Sequence, residues 1–217
     1  MNSLTKPNQS SLFGLSEVDS KLNSSDNVEL IILCHNILVS AQNAVPFKSW
    51  TTRMLSLGAY VILKKVSEEM VEFTIAVCWD RSFGVCEECA DLIYHILLLF
   101  VGYEIRYERL IEAMKTKSQQ SDSITSLSCL EKTAFATYVN NDRNQLESGI
   151  AFMIRELYLS VASLTVLCLK VNINTEANET TISNAVCDVF INIMMLLRYR
   201  GLRYQQVANV LNTRCCH

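Results

Sequence analysis

The sequence predicts an all-α protein made of two tandem four-helix units packed as a pseudo-dimeric helical bundle. Three observations carry this. Half of the 217 residues are hydrophobic while Gly numbers 6 and Pro 2, too few turn-formers for a sandwich or barrel of many short strands. Apolar residues recur at helical spacing along most of the chain. Finally, the segment Asp91 to Tyr107 (DLIYHILLLFVGYEIRY) recurs as Asp188 to Tyr204 (DVFINIMMLLRYRGLRY), an offset of 97 (188 − 91).

Taken in order, residues 1–27 are rich in Ser and Asn and lack an apolar h-region, so they read as a disordered leader and not a secretory signal. From Val28 to Ala44 the positions Leu30, Ile31, Leu33, Cys34, Ile37 and Leu38 form a helical stripe that Pro46 closes. Thr51 to Trp79 reads as one long helix, buried along Met54, Leu55, Ala59, Ile62, Leu63, Val66, Met70, Phe73 and Val77, with Trp79 in the core. Asp80 to Gly84 is a turn, Val85 to Tyr103 a third helix and Arg106 to Lys117 a fourth. The polar run 118–126 is a linker between a first unit, 28–117, and a second, 127–217. Leu30 and Leu33 meet Leu127 and Leu130 at the same offset of 97, whereas Glu69 best matches Glu156, an offset of 87 (156 − 69).

A net charge of −3 and a pI near 5.7 give no general attraction to phosphate backbones or anionic lipid, so neither nucleic acid nor a membrane is expected as a partner. Uninterrupted apolar runs such as Ile96 to Val101 fall well short of the roughly 20 residues that cross a bilayer. A cytoplasmic location is the expectation. The nine cysteines are odd in number, and the chain has apolar residues enough for a core, so reduced thiols packing as small hydrophobes are expected. Cys86 and Cys89 have CxxC spacing, and Cys215-Cys216-His217 offers further ligands. With no second CxxC, and the first inside a helical pattern, a zinc site has little support.

The chemistry lies in acids. Glu68, Glu69 and Glu72 fall at i, i+1 and i+4 of one helix, and Glu88 and Asp91 at i, i+3 of the next. On an arbitrary helix such spacing marks a solvated face. Here Val66, Met70, Val71 and Phe73 surround the first set and Ala90, Leu92 and Ile93 the second, so part of the acidic set must lie near buried surface. Packed together these carboxylates would repel, and hard oxygen donors in that number suit Mg²⁺, or Mn²⁺, bridging to a substrate's phosphates.

The run Lys65-Val-Ser-Glu-Glu-Met-Val-Glu72, then Asp80-Arg81, then Glu88 to Leu99 (ECADLIYHILLL) closely resembles phosphoribosyl-ATP pyrophosphatase of histidine biosynthesis. Upstream, Ser49-Trp-Thr-Thr-Arg-Met54 resembles that family's S-Y-T-x-[KR]-L segment. The resemblance covers about residues 28–117 and implies the all-α nucleotide pyrophosphohydrolase superfamily, which includes MazG-type and dimeric dUTPase enzymes. It implies Mg²⁺-dependent hydrolysis of the α–β phosphoanhydride of phosphoribosyl-ATP to phosphoribosyl-AMP and pyrophosphate. Glu69, Glu72, Glu88 and Asp91 would hold metal, Glu68 or Glu69 would act as general base, and Arg53, Lys64 and Lys65 would bind phosphates. Two departures, Ser67 for the family's usual Gly and Trp50 for its Tyr, touch substrate fit more than metal binding. His95 is expected as a hydrogen-bonded core residue.

In the second unit Glu68, Glu72 and Glu88 align with Arg155, Leu159 and Ala185, leaving Glu156 and Asp188. That copy is expected to be inactive and to serve as a built-in partner, with further homo-oligomerisation left open. The alternatives are a house-cleaning nucleoside triphosphate pyrophosphohydrolase of the same superfamily, or a non-catalytic interaction protein derived from it.

Overall fold

The structure, a computed structural model, describes residues 33–34, 36–41, 49–79, 82–118, 134, 149–170 and 176–215. Seven helices are numbered here in chain order: α1 (Trp50–Leu57), α2 (Ala59–Trp79), α3 (Ser82–Gly102), α4 (Tyr107–Ser118), α5 (Gly149–Lys170), α6 (Glu176–Tyr199) and α7 (Tyr204–Cys215). Residues 36–41 are also helical, and no strand occurs among the described residues. The leader 1–27, the linker residues 119–126, Asp80-Arg81 and Cys216-His217 lie outside them, as do the ends expected for the first helix.

The expected long helix from Thr51 to Trp79 is divided in two. Gly58 takes φ 83°, a left-handed conformation that ends α1, and its carbonyl then accepts from Val61 N at 3.1 Å to begin α2. Ser49 caps the start of α1, its Oγ accepting from Thr52 N at 3.1 Å. The break aims α1 separately from α2, which matters because α1 carries Arg53. Of the turn expected over Asp80 to Gly84, Ser82 to Gly84 are already helical, as α3 begins at Ser82. Trp79 is not core but 82% exposed, lying at the end of α2 where the buried stripe has run out.

α3 is central, and its second half is largely apolar for that reason: α1, α2, α6 and α7 all pack on it, and Val85, Cys89, Leu92, Ile93 and Ile96 through Leu99 are buried. α5 packs on α6, and α2 on α5. The fourth helices cross over. α4, which follows α3, packs against α6, while α7, which follows α6, packs against α3. The sequence offset of 97 reappears in the backbone. α4 and α7 share it at both ends, and the turns before them pair Ile105 N to Phe100 O at 3.0 Å with Leu202 N to Leu197 O at 2.8 Å. Both turns hold a left-handed residue, Glu104 at φ 53° and Gly201 at φ 71°. Contacts run between the halves in both directions: Tyr103 Oη donates to Cys168 O at 2.9 Å, and Arg200, 97 residues later, donates from Nη1 to Val77 O at 2.8 Å.

α5 and α6 are each long and apolar enough to cross a membrane by length and composition, which the search for uninterrupted apolar runs did not register. Most of α6 is buried inside the protein, as a core helix is, whereas little of α5 is.

Candidate metal and nucleotide site

α2 and α3 run side by side and bring the two acidic sets together. Carboxylate oxygens of Glu69, Glu88 and Asp91 lie within 4.8 Å of one another. Two ionised carboxylates at about 5 Å repel by about 3 kcal/mol at an effective dielectric of ~20, so three in one place call for a cation. Lys65 stands beside the cluster, its Nζ 2.8 Å from Glu69 and 3.0 Å from Glu68; Lys64 adds a longer pair to Glu68 at 3.4 Å. Hydrogen bonding to Glu69 raises the Lys65 pKa against the opposing effect of burial. The same lysine's hydrogen bond lowers that of Glu68. Both groups are therefore charged at neutral pH. The donors are all oxygens, closely grouped around the buried carboxylate of Glu69, and this set fits a Mg²⁺ or Mn²⁺ ion.

Glu72 does not join the group. It is exposed, one turn further along α2, and lies outside the 4.8 Å cluster. Glu68, 41% exposed, sits at the cluster's edge with both lysines. Arg53 is exposed on α1.

His95 is buried, as expected. Its Nδ1 is 2.8 Å from the Asp91 carbonyl, which can only accept, so Nδ1 carries the proton and the ring reads as the neutral tautomer. Burial brings its pKa down to about 4, outweighing the upward pull of the Glu69 carboxylate, whose Oε1 lies 3.9 Å from Nδ1. His95 thus fixes the carbonyl of a cluster residue without adding positive charge. Nε2 is buried with no hydrogen-bond partner among the described residues.

Sequence reasoning missed one link. Thr51 Oγ1 and Tyr94 Oη are 2.6 Å apart, tying α1 to α3 three residues after Asp91. The signal was present in the threonine of the Ser49 to Met54 segment and the Tyr94-His95 pair, but partners 43 residues apart cannot be matched from periodicity. The departure at Ser67 is absorbed locally, its hydroxyl donating to Leu63 O at 3.1 Å within α2. Cys86 and Cys89 are buried, and burial pushes both thiols up, Cys89 strongly, which opposes the thiolate form that zinc requires.

The pattern of the phosphoribosyl-ATP pyrophosphohydrolase family matches residues 34–118, the stretch that holds the whole carboxylate cluster. The chain is 34% identical over 80 residues to "Phosphoribosyl-ATP pyrophosphatase" of Dechloromonas aromatica, covering 37% of this chain and 74% of that protein. It is 31% identical over 85 residues to the protein of the same name from Methylobacterium nodulans, covering 39% and 79%. It is also 29% identical over 83 residues to "Histidine biosynthesis bifunctional protein HisIE" of Salmonella typhimurium, covering 38% and 41%. No solved structure matches. With its acids gathered between two helices of an all-α fold and its relatives so matched, the chain belongs to the phosphoribosyl-ATP pyrophosphohydrolase family, hydrolases of a nucleotide pyrophosphate bond.

Proposed function

We propose that the protein hydrolyses the α–β phosphoanhydride of phosphoribosyl-ATP, giving phosphoribosyl-AMP and pyrophosphate, at the cleft between α2 and α3. The observation that carries this is the cluster of Glu69, Glu88 and Asp91 flanked by Lys65. Those three residues would hold Mg²⁺, with Mn²⁺ as a substitute, and a bound ion supplies charge neutralisation and Lewis acidity at the phosphates.

The remaining roles belong to the chain. Lys64 and Lys65 leave their carboxylate partners to hold phosphate oxygens, a point-charge role suited to ammonium groups. Glu68, released by the same exchange, recovers basicity and takes the proton of the attacking water. Glu69 is committed to the cluster, which leaves Glu68 as the general base. Arg53 binds the phosphate on the substrate's second ribose, and the Thr51–Tyr94 bond fixes α1, and so Arg53, relative to the cluster.

Residues 127–217 are proposed to be a degenerate copy that serves as the first unit's built-in partner. The shared offset of 97, the crossed fourth helices and the Tyr103 and Arg200 bonds between the halves support this. A soluble nucleotide substrate suits a cytoplasmic enzyme. The test is pyrophosphate release from a panel of nucleotides. Turnover confined to phosphoribosyl-ATP is the expected result, and efficient hydrolysis of ordinary triphosphates would favour the house-cleaning alternative.

A further inference from the structure

Between α5 and α6 lies a second cleft, a cavity of about 400 Å³ lined among others by Phe152, Glu156, Ser160, Asp188 and Asn192. At the offsets found in the sequence, Glu156 and Asp188 stand where Glu69 and Asp91 stand in the first unit, and Ala185 and Asn192 where Glu88 and His95 do. Shorter side chains at the last two places leave room. The volume falls within the roughly 300 to 1,000 Å³ of ordinary small-molecule sites.

The charge balance of this cleft differs from that of the first. Lys117 Nζ is 2.7 Å from Asp188 Oδ1, and Arg155 Nη2 is 3.1 Å from Glu156 Oε1. Each carboxylate already has a cation, so the cleft calls for neither a metal ion nor an anionic ligand. Asn192 Nδ2 donates to Glu156 O and Ser160 Oγ, both at 3.2 Å, which fixes the amide and leaves its oxygen as an acceptor. Phe152 offers an aromatic face, with the Arg155 guanidinium 5.2 Å from the ring centre. Met195 and Ile191 add apolar wall.

We propose that this second cleft binds an uncharged nucleoside without a divalent cation, the base against Phe152 and the apolar wall, the ribose hydroxyls donating to Glu156 and Asp188. Carboxylates take up ribose hydroxyls readily, whereas a phosphate would find no cation here that is not already paired with a carboxylate. The alignment of the two clefts rests on the reading of residues 127–217 as a degenerate copy; the cavity, its polar groups and its charge balance do not.

Calorimetric titration of the full chain with adenosine, in the presence of EDTA, tests it. One saturable site is expected, unchanged by Asp91→Ala. It should weaken at least tenfold in Ser163→Trp, which fills the cleft from its exposed lip, and in Asn192→Leu. Pyrophosphate release by both cleft variants should match wild type. Absence of saturable binding, dependence on Mg²⁺, loss in Asp91→Ala, or AMP binding more tightly than adenosine would each overturn the proposal. None of these outcomes depends on whether the first cleft hydrolyses phosphoribosyl-ATP, which the pyrophosphate assay decides separately.

Discussion

The two clefts each lie between a pair of long packed helices, and they differ in charge. Between α2 and α3, three carboxylates lie within 4.8 Å of one another, with Lys65 bonded to only one of them, Glu69. Between α5 and α6, two carboxylates remain and each meets its own cation, Lys117 or Arg155. The first arrangement gathers three like charges that an added cation would draw together; in the second, each acid is paired with a base. At the sequence offsets of 87 and 97, Arg155 stands opposite Glu68 and Ala185 opposite Glu88, so the second cleft carries fewer acids and one more base.

The largest expected effect comes from imposing the second cleft's composition on the first. Glu88→Ala, which copies Ala185, should reduce pyrophosphate release from phosphoribosyl-ATP by more than about a hundredfold, given the several kcal/mol that a metal supplies to a transition state. Because the change removes like-charge repulsion, the metal-free melting temperature should hold or rise. Near wild-type turnover would place the site elsewhere.

Next in size is the substrate contact on α1. A charge-assisted bond to phosphate is worth roughly 1.5 to 3 kcal/mol, so Arg53→Ala should lower kcat/KM for phosphoribosyl-ATP by about ten- to a hundredfold. Hydrolysis of plain ATP should hardly change. Equal losses on both would put Arg53 on the shared triphosphate.

A smaller effect is expected where the two elements are coupled. Tyr94→Phe removes the hydroxyl that meets Thr51 and should cost about 1 kcal/mol of stability by denaturant titration. With α1 less well fixed, KM should rise several-fold while kcat stays close to wild type. A fall in kcat with KM unchanged would give Tyr94 a part in the chemistry.

Asp188→Ala should do least. Its pair with Lys117 is about half exposed on the carboxylate side, and such pairs contribute at most about 1 kcal/mol. Pyrophosphate release should stay within about twofold of wild type. A large loss would mean that the second cleft takes part in turnover.

Much of this was legible in the sequence, because helical periodicity and local spacing report what a single helix does. The all-α class follows from the i, i+3, i+4 pattern, as does the expectation that part of the acidic set lies near buried surface, which the structure assigns to Glu69. What escaped was fixed by backbone conformation or by distant partners. The division at Gly58 depends on a left-handed φ that a lone glycine inside an apolar stripe does not announce. Glu72 keeps helical spacing with Glu68 and Glu69 yet stays outside the cluster, because the positions of α2 that face α3 are set by packing between helices. Residue type alone puts Trp79 in the core, whereas the buried stripe of α2 ends before it. The crossing of α4 onto α6 and α7 onto α3 is invisible to any local pattern.

The central claim is that metal binding belongs to the first cleft alone, and Mn²⁺ titration followed by electron paramagnetic resonance tests it most directly. Mn²⁺ should bind wild type and Asp188→Ala with the same stoichiometry and affinity, and binding should be lost in Asp91→Ala. Mn²⁺ retained by Asp91→Ala, or lost in Asp188→Ala, would contradict the assignment of the two clefts.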